Sequence, residues 1–259
     1  AFIVSLSFSF CVSAQTFSEK TTTASNVRLN VSNSGTFGNA FRGYRDGSGN
    51  PSGEYPAGSG VEHLFESGIW FGGLINGSTV AVSTAAVDAP QGYSTGSAGF
   101  EFYPEPGATL KEISSLRNSP YYNTSAVSHQ DFVATFSDKN VKVPGTNTQI
   151  GSHLDPLFVQ ITAKSYNWNY SFSDFFVILD YELENIGTNT IDSAFFGLWA
   201  NTVVRNINVT PAGSGGASFY NKGGNGYFDS LQMAYCYDNA GDVGFTDSYV
   251  GQKFLGAED

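Results

Sequence analysis

A chain of 259 residues with 12 Lys and Arg against 23 Asp and Glu carries a formal charge of -11, which repels phosphate backbones and anionic lipid headgroups and argues against nucleic acid as a partner. Charged residues make up only 14% of the chain, while Gly, Ser, Thr, Asn, Phe and Tyr are abundant, the mix of a secreted β protein whose surface is polar rather than ionic. No run of about 18 apolar residues is present, so no transmembrane segment is expected.

The chain opens on an uncharged apolar run, AFIVSLSFSFCVSAQ, that ends in Val12-Ser13-Ala14 before Gln15. This is the h-region and cleavage site of a secretory signal peptide over residues 1–14, without its basic n-region. Phe10 argues against lipid modification of Cys11, since a lipidated Cys follows a small residue. Cleavage after Ala14 leaves Cys236 as the sole cysteine, so no internal disulfide is expected. Stability then has to come from a core.

A short alternating strand is expected over Asn26–Val31, followed by a long Gly/Ser/Asn loop through Gly60. Val61 to Phe71 reads as an apolar, aromatic strand. It returns through Thr79–Val82 after Asn76-Gly77, a dipeptide that accepts the positive φ values of a tight hairpin. A turn-rich stretch, Asp88–Gly99, leads to a short aromatic strand, Phe100–Tyr103, stopped by Pro104 and Pro106. In residues 109–117 the spacing of Leu110, Ile113 and Leu116 predicts one short helix. Asp131–Phe136 reads as a strand, as does Leu157–Ala163 running on toward Tyr170. In Phe175–Glu184 the period of two places Phe175, Val177, Leu179, Tyr181 and Leu183 on a core face, and Asp180, Glu182 and Glu184 in solvent. After a turn at Asn185–Asn189, a strand returns over Thr190–Val204. Gly213–Gly226 reads as a loose loop and Tyr227–Tyr237 as one further strand.

This pattern predicts an all-β, β-sandwich-like fold of many short antiparallel strands with long Gly/Ser/Asn loops and at most one short helix. The length permits one unit or two, with 144–151 as the boundary in the second case. No fixed-period repeat is present, which argues against a solenoid or propeller.

Candidate chemistry is sparse. Gly92-Tyr93-Ser94-Thr95-Gly96 matches a hydrolase nucleophile elbow in letters, but it lacks the preceding buried strand and following helix that strain such a turn. His63, His129 and His153 are too dispersed for a local metal motif. Asp238 and Asp242, in a Gly-containing loop, form a hard-oxygen pair of the kind calcium prefers, outside the EF-hand pattern; the rival reading is a hairpin turn with solvated acids. Trp70, Trp168 and Trp199 are candidates for ligand stacking if exposed in one plane, against a default of core packing. Cys236, flanked by tyrosines in a strand pattern, reads as a buried, inert thiol. The sequons at Asn30, Asn76, Asn123, Asn169 and Asn208 are close to chance for this composition.

Three blocks, residues 55–73, 174–200 and 233–258, resemble conserved stretches of large secreted surface proteins of Bacteroidota-type bacteria exported by the type IX secretion system. The resemblance implies an N-terminal β-rich region of a longer protein, followed by further β modules and a C-terminal sorting domain. Relatives often place acidic residues after the GLW block; here Ala200–Arg205 contains none, which weakens any calcium site shared with Asp238 and Asp242. The expected function is a non-catalytic, structural or adhesive β module, extracellular or on the outer cell surface, with polysaccharide or other cell-surface proteins as partners and no cofactor beyond calcium. The alternative is a carbohydrate-binding or accessory domain of a secreted hydrolase. A third reading, the chain as the hydrolase itself, would need two carboxyl groups about 5–9 Å apart in a cleft.

Overall fold

The computed structural model describes residues 15–39, 49–86, 99–151, 153–209, 223–239 and 247–258. The expected signal peptide, Ser94 with its elbow-like flanks, and Asp242 lie outside them.

Asn76 and Gly77 take φ values of 49° and 68°, the two left-handed conformations of a tight type I′ turn that Ser78 closes by donating its N–H to the Ile75 carbonyl at 3.2 Å. They fold β5 (Val61–Ile75) back onto β6 (Thr79–Thr84), with Ile75 opposite Thr79 and Trp70 opposite Thr84. Along its other edge β5 pairs with β12 (Ile191–Asn206), from Ile75 opposite Ile191 to Val61 opposite Asn206, and bulges interrupt this ladder. With β1 (Glu19–Thr21), β2 (Arg28–Ser32), β3 (Thr36–Phe37) and β4 (Gly53–Glu54), these strands make a seven-stranded sheet.

A second sheet of five strands contains β7 (Tyr103–Pro104), β8 (Lys111–Ile113), β9 (Gln130–Ser137), β10 (Val159–Asn167) and β11 (Ile178–Asn185). The order is β11-β10-β9-β7, with β8 beside β9. Both β9 with β10 and β5 with β12 pair across residues 144–151.

The two sheets face each other over one apolar cluster. The first contributes Val31, Phe37, Leu64, Ile69, Phe71 and Ala81; the second contributes Phe132, Phe136, Val159 and Ile161, joined by Phe102 from the bend that leads into β7. Each of the Val, Leu, Ile and Phe side chains withdrawn from water contributes about 1.5–3 kcal/mol. Buried polar groups tie the layers at the margins. Asn167 accepts from the Ser25 N–H at 3.0 Å and donates to its hydroxyl at 2.6 Å. Gln130 accepts from Thr23 N–H at 2.6 Å.

A third, three-stranded sheet comprises β13 (Gly223–Phe228), β14 (Met233–Asp238) and β15 (Tyr249–Lys253). It is attached to the first sheet by the Cys236 thiol, 3.3 Å from the Thr202 carbonyl, and by His63 Nε2, 2.8 Å from the Ser248 hydroxyl.

Among the described residues the fold is all-β with antiparallel sheets and no α-helix, and no helix is long and apolar enough to cross a membrane. Several expectations need correction. Pro104 does not stop a strand over Phe100–Tyr103: only Tyr103–Pro104 pair with β9, as β7. The long loop read through Gly60 holds the short strands β3 and β4. Residues 109–117 form no helix, because Lys111–Ile113 pair with Asp131–Val133 of β9 as a short strand, which overrides the three-residue apolar spacing. Tyr227–Tyr237 is not one strand: a 3-10 turn at Asp229–Leu231 and a left-handed Gln232 split it into β13 and β14, and β13 begins within the glycines read as loop. In β11, Leu179 and Tyr181 do pack on the core, and Glu182 is exposed and ion-paired to Lys164. Leu183 and Phe175, however, are exposed. β11 is the outermost strand of its sheet and begins only at Ile178, so Phe175 lies in the turn before it, and Leu183 stands past the packed part of its apolar face.

Candidate functional site

Opposed residues of neighbouring strands point to the same side of a sheet, and alternate residues to opposite sides. On β5, Ile69 and Phe71 enter the core, so Gly68, Trp70, Gly72 and Leu74 face outward. Their partners share that outer face: Trp199 opposite Gly68, Gly197 opposite Trp70, and Phe195 opposite Gly72 on β12, with Val82 and Val80 opposite Gly72 and Leu74 on β6. The result is an apolar strip in solvent. Trp70 is 48% exposed, Val80 74% and Phe195 74%. Gly72 and Gly197 lower its floor, leaving a groove of about 470 Å³ between Trp70, Leu74, Val80, Val82 and Phe195. Monomer surfaces seldom carry a contiguous apolar patch without a use for it.

The three tryptophans do not share one plane. Trp70 and Trp199 are diagonal neighbours on this outer face, Trp199 half-buried. Trp168 stands elsewhere, half-buried in the connection from β10 to β11, its ring 6.2 Å from Tyr166 and 6.4 Å from Phe176. That connection also exposes Tyr170 stacked on Phe172 at 5.3 Å, with His129 4.7 Å from Tyr170. Such aromatic exposure on a loop is invisible to a pattern search that reads aromatics as core.

The titratable groups are engaged structurally. Glu54 accepts from the N–H groups of Gly58 at 2.8 Å and Gly60 at 2.9 Å, and Glu62 from that of Gly53 at 2.8 Å. In register, Arg28, Glu54, Glu62 and Arg205 form one row across β2, β4, β5 and β12. Asp131 accepts from Val127 and Ser128 N–H at 2.7 and 2.8 Å. Burial pushes the Glu101 carboxyl up, partly offset by its own backbone and by His153. Burial likewise pushes the Cys236 thiol up, in keeping with an inert role. Asp238 is buried at the end of β14. Among the described residues no three His, Cys, Asp or Glu side chains gather as a metal site.

His63 and Ser248 come within hydrogen-bond reach, the distance of a base and its nucleophile. The pair lacks the third member: among the described residues no carboxylate bonds to the His63 Nδ1. Burial also lowers the His63 pKa to about 4, making it a weak base at neutral pH. Its consequence is for stability. The folded pKa lies below the unfolded 6.5, so His63 contributes nothing adverse above pH 6.5, and stability is lost as pH falls from 6.5 toward about 4. We expect His63→Gln to remove up to about 3 kcal/mol of that decline. Urea titrations of both proteins at pH 7 and pH 4.5 would reveal this, and parallel pH profiles would contradict it.

Comparison with protein-family models, curated proteins and solved structures finds no match.

Proposed function

We propose that this chain is a non-catalytic, extracellular β module that adheres through the apolar outer face of its first sheet, within a longer secreted surface protein. The carrying observation is the strip of Trp70, Val80, Val82 and Phe195, side chains that gain by leaving water yet stand in it. Its support is chemical as well: Glu54 and Glu62 accept backbone N–H groups, and among the described residues no carboxylate orients His63, a weak base. The -11 charge disfavours densely anionic surfaces.

Beads coated with the purified chain should adhere to bacterial cell surfaces. Replacing Trp70 and Phe195 together by Ala should cut adhesion about tenfold or more, since aromatic anchors dominate interfaces. Both residues are exposed, so the far-ultraviolet spectrum should not change. Equal adhesion by the double variant would overturn the reading, as would turnover of glycoside, ester or peptide substrates by the unaltered chain. The second reading, a carbohydrate-binding module, is favoured by a different surface, on the third sheet.

A further inference from the structure

One face of the third sheet is rich in glycine and tyrosine. In register, Gly224, Tyr237 and Tyr249 form one row across β13, β14 and β15, and Gly226, Tyr235 and Gly251 form the next; Phe228, Met233 and Lys253 close the face. The opposite face holds Cys236, which contacts β12. The tyrosines therefore point away from the body of the fold, and Tyr249 is 62% exposed.

The rings do not stand upright. A Cβ on Gly224 would fall 2.5 Å from Tyr237 Cζ, and one on Gly226 would fall 2.5 Å from the Tyr235 hydroxyl. Tyr235 and Tyr237 thus lie over the glycine strand. Neither glycine is among those with positive φ, so what each provides is space and not backbone freedom. Interior strand glycines cost about 0.5–1 kcal/mol apiece relative to Ala, and here they give two rings a flat seat. Tyr249 stacks on Tyr237, with centroids 5.1 Å apart and planes 26° from parallel, and Tyr235 is tilted beside them, 6.1 Å and 31° from Tyr237 and 6.2 Å and 54° from Tyr249, so the three rings step across the face and do not lie in one plane.

We propose that Tyr235, Tyr237 and Tyr249 form a stacking platform for the pyranose rings of a neutral polysaccharide. Axial C–H groups on a sugar face match the apolar faces of the rings, and sugar hydroxyls find donors and acceptors in the phenols. Rings already laid down lose little rotamer freedom on binding. Charge selects a neutral polymer: Lys253 is the only charged side chain on this face among the described residues, and a chain of net charge -11 repels a polyanion. The inference rests on the extracellular reading given above, which brings such polymers within reach.

Affinity gel electrophoresis of the whole chain tests it, with gels containing β-glucan, xylan or galactomannan, and alginate as a polyanion. At least one neutral polymer should retard the chain, equally at low and high salt, and alginate should not. Tyr249→Ala and Tyr235→Ala should each weaken retardation about tenfold. Gly226→Val keeps every tyrosine but lifts Tyr235 off its seat, and should weaken retardation while the chain still unfolds cooperatively. Tyr249 is exposed, so its variant informs even where another fails to fold. Absence of retardation by all three neutral polymers, retardation by alginate alone, or unaltered retardation of the Tyr249 variant would overturn the proposal. Bead adhesion that persists without retardation defeats this proposal alone. Retardation that persists while the Trp70/Phe195 double variant adheres normally defeats the adhesion reading instead.

Discussion

Phe136→Ala is expected to remove about 3–5 kcal/mol of folding stability, a large share of the roughly 5–15 kcal/mol a domain possesses. Phe136 is fully buried on β9 and meets Phe102 edge-to-face at 5.8 Å. It sits where the sheets touch: a Cβ on Gly35, which has φ +81°, would come within 3.0 Å of the Phe136 ring. The neighbouring backbone fits the ring so closely that its removal leaves a void the surroundings cannot fill by small shifts. Phe136→Leu, which keeps most of the volume, should cost much less. Urea unfolding of the two variants decides the matter, and a Phe136→Ala loss under about 1 kcal/mol would mean that the sheets do not pack as described.

Asp138→Ala should be comparably damaging for the opposite reason, the loss of a polar group. The Asp138 carboxylate is fully buried and accepts three hydrogen bonds: from the Ser83 hydroxyl at 2.7 Å, the Leu157 N–H at 2.8 Å and the Val159 N–H at 2.8 Å. Ser83 belongs to the first sheet and Val159 to the second, so one side chain fastens both layers. Alanine would strand two backbone donors and a hydroxyl away from water, at about 1–3 kcal/mol each before any relaxation. We expect a loss of about 3–5 kcal/mol. Asp138→Asn retains one carbonyl acceptor and should lose about half as much. Equal unfolding midpoints for the Ala and Asn variants would show that the carboxylate does not carry these bonds.

Much of the sheet architecture is legible in local sequence signals. Asn76-Gly77 encodes its hairpin in two residues because few others tolerate that pair of φ values. The alternation through Leu179 and Tyr181 places those two side chains correctly. It fails at Leu183, because periodicity reports which face a residue is on and not whether another sheet reaches that far, and at Phe175 because that residue lies in the turn before the strand begins at Ile178. Leu110, Ile113 and Leu116 mislead through spacing alone: the pairing of Lys111–Ile113 with β9 is a tertiary fact, and it outweighs local preference in so short a segment. The tyrosine surface is hidden for a related reason. Gly223-Gly224-Asn225-Gly226 looks like loop by composition, and only the register that sets Gly224 against Tyr237 and Gly226 against Tyr235 shows the glycines making room. A Gly-x-Gly segment a few residues from Tyr-x-Tyr is the signal the sequence carries for it.

The pairing of β5 with β12 has a consequence in time. β5 is a 15-residue strand, and the strand that covers one of its edges arrives only with Ile191–Asn206, after the whole second sheet has been made. Closing so long a loop adds little to the equilibrium cost, since loop entropy grows slowly with length, but contacts this distant in sequence form late. During the interval β5 presents unpaired N–H and C=O groups beside Trp70 and Phe71, a template for any neighbouring chain at the same stage. Refolding yield is then expected to rise on dilution, which separates chains whose β5 edge has not yet been covered.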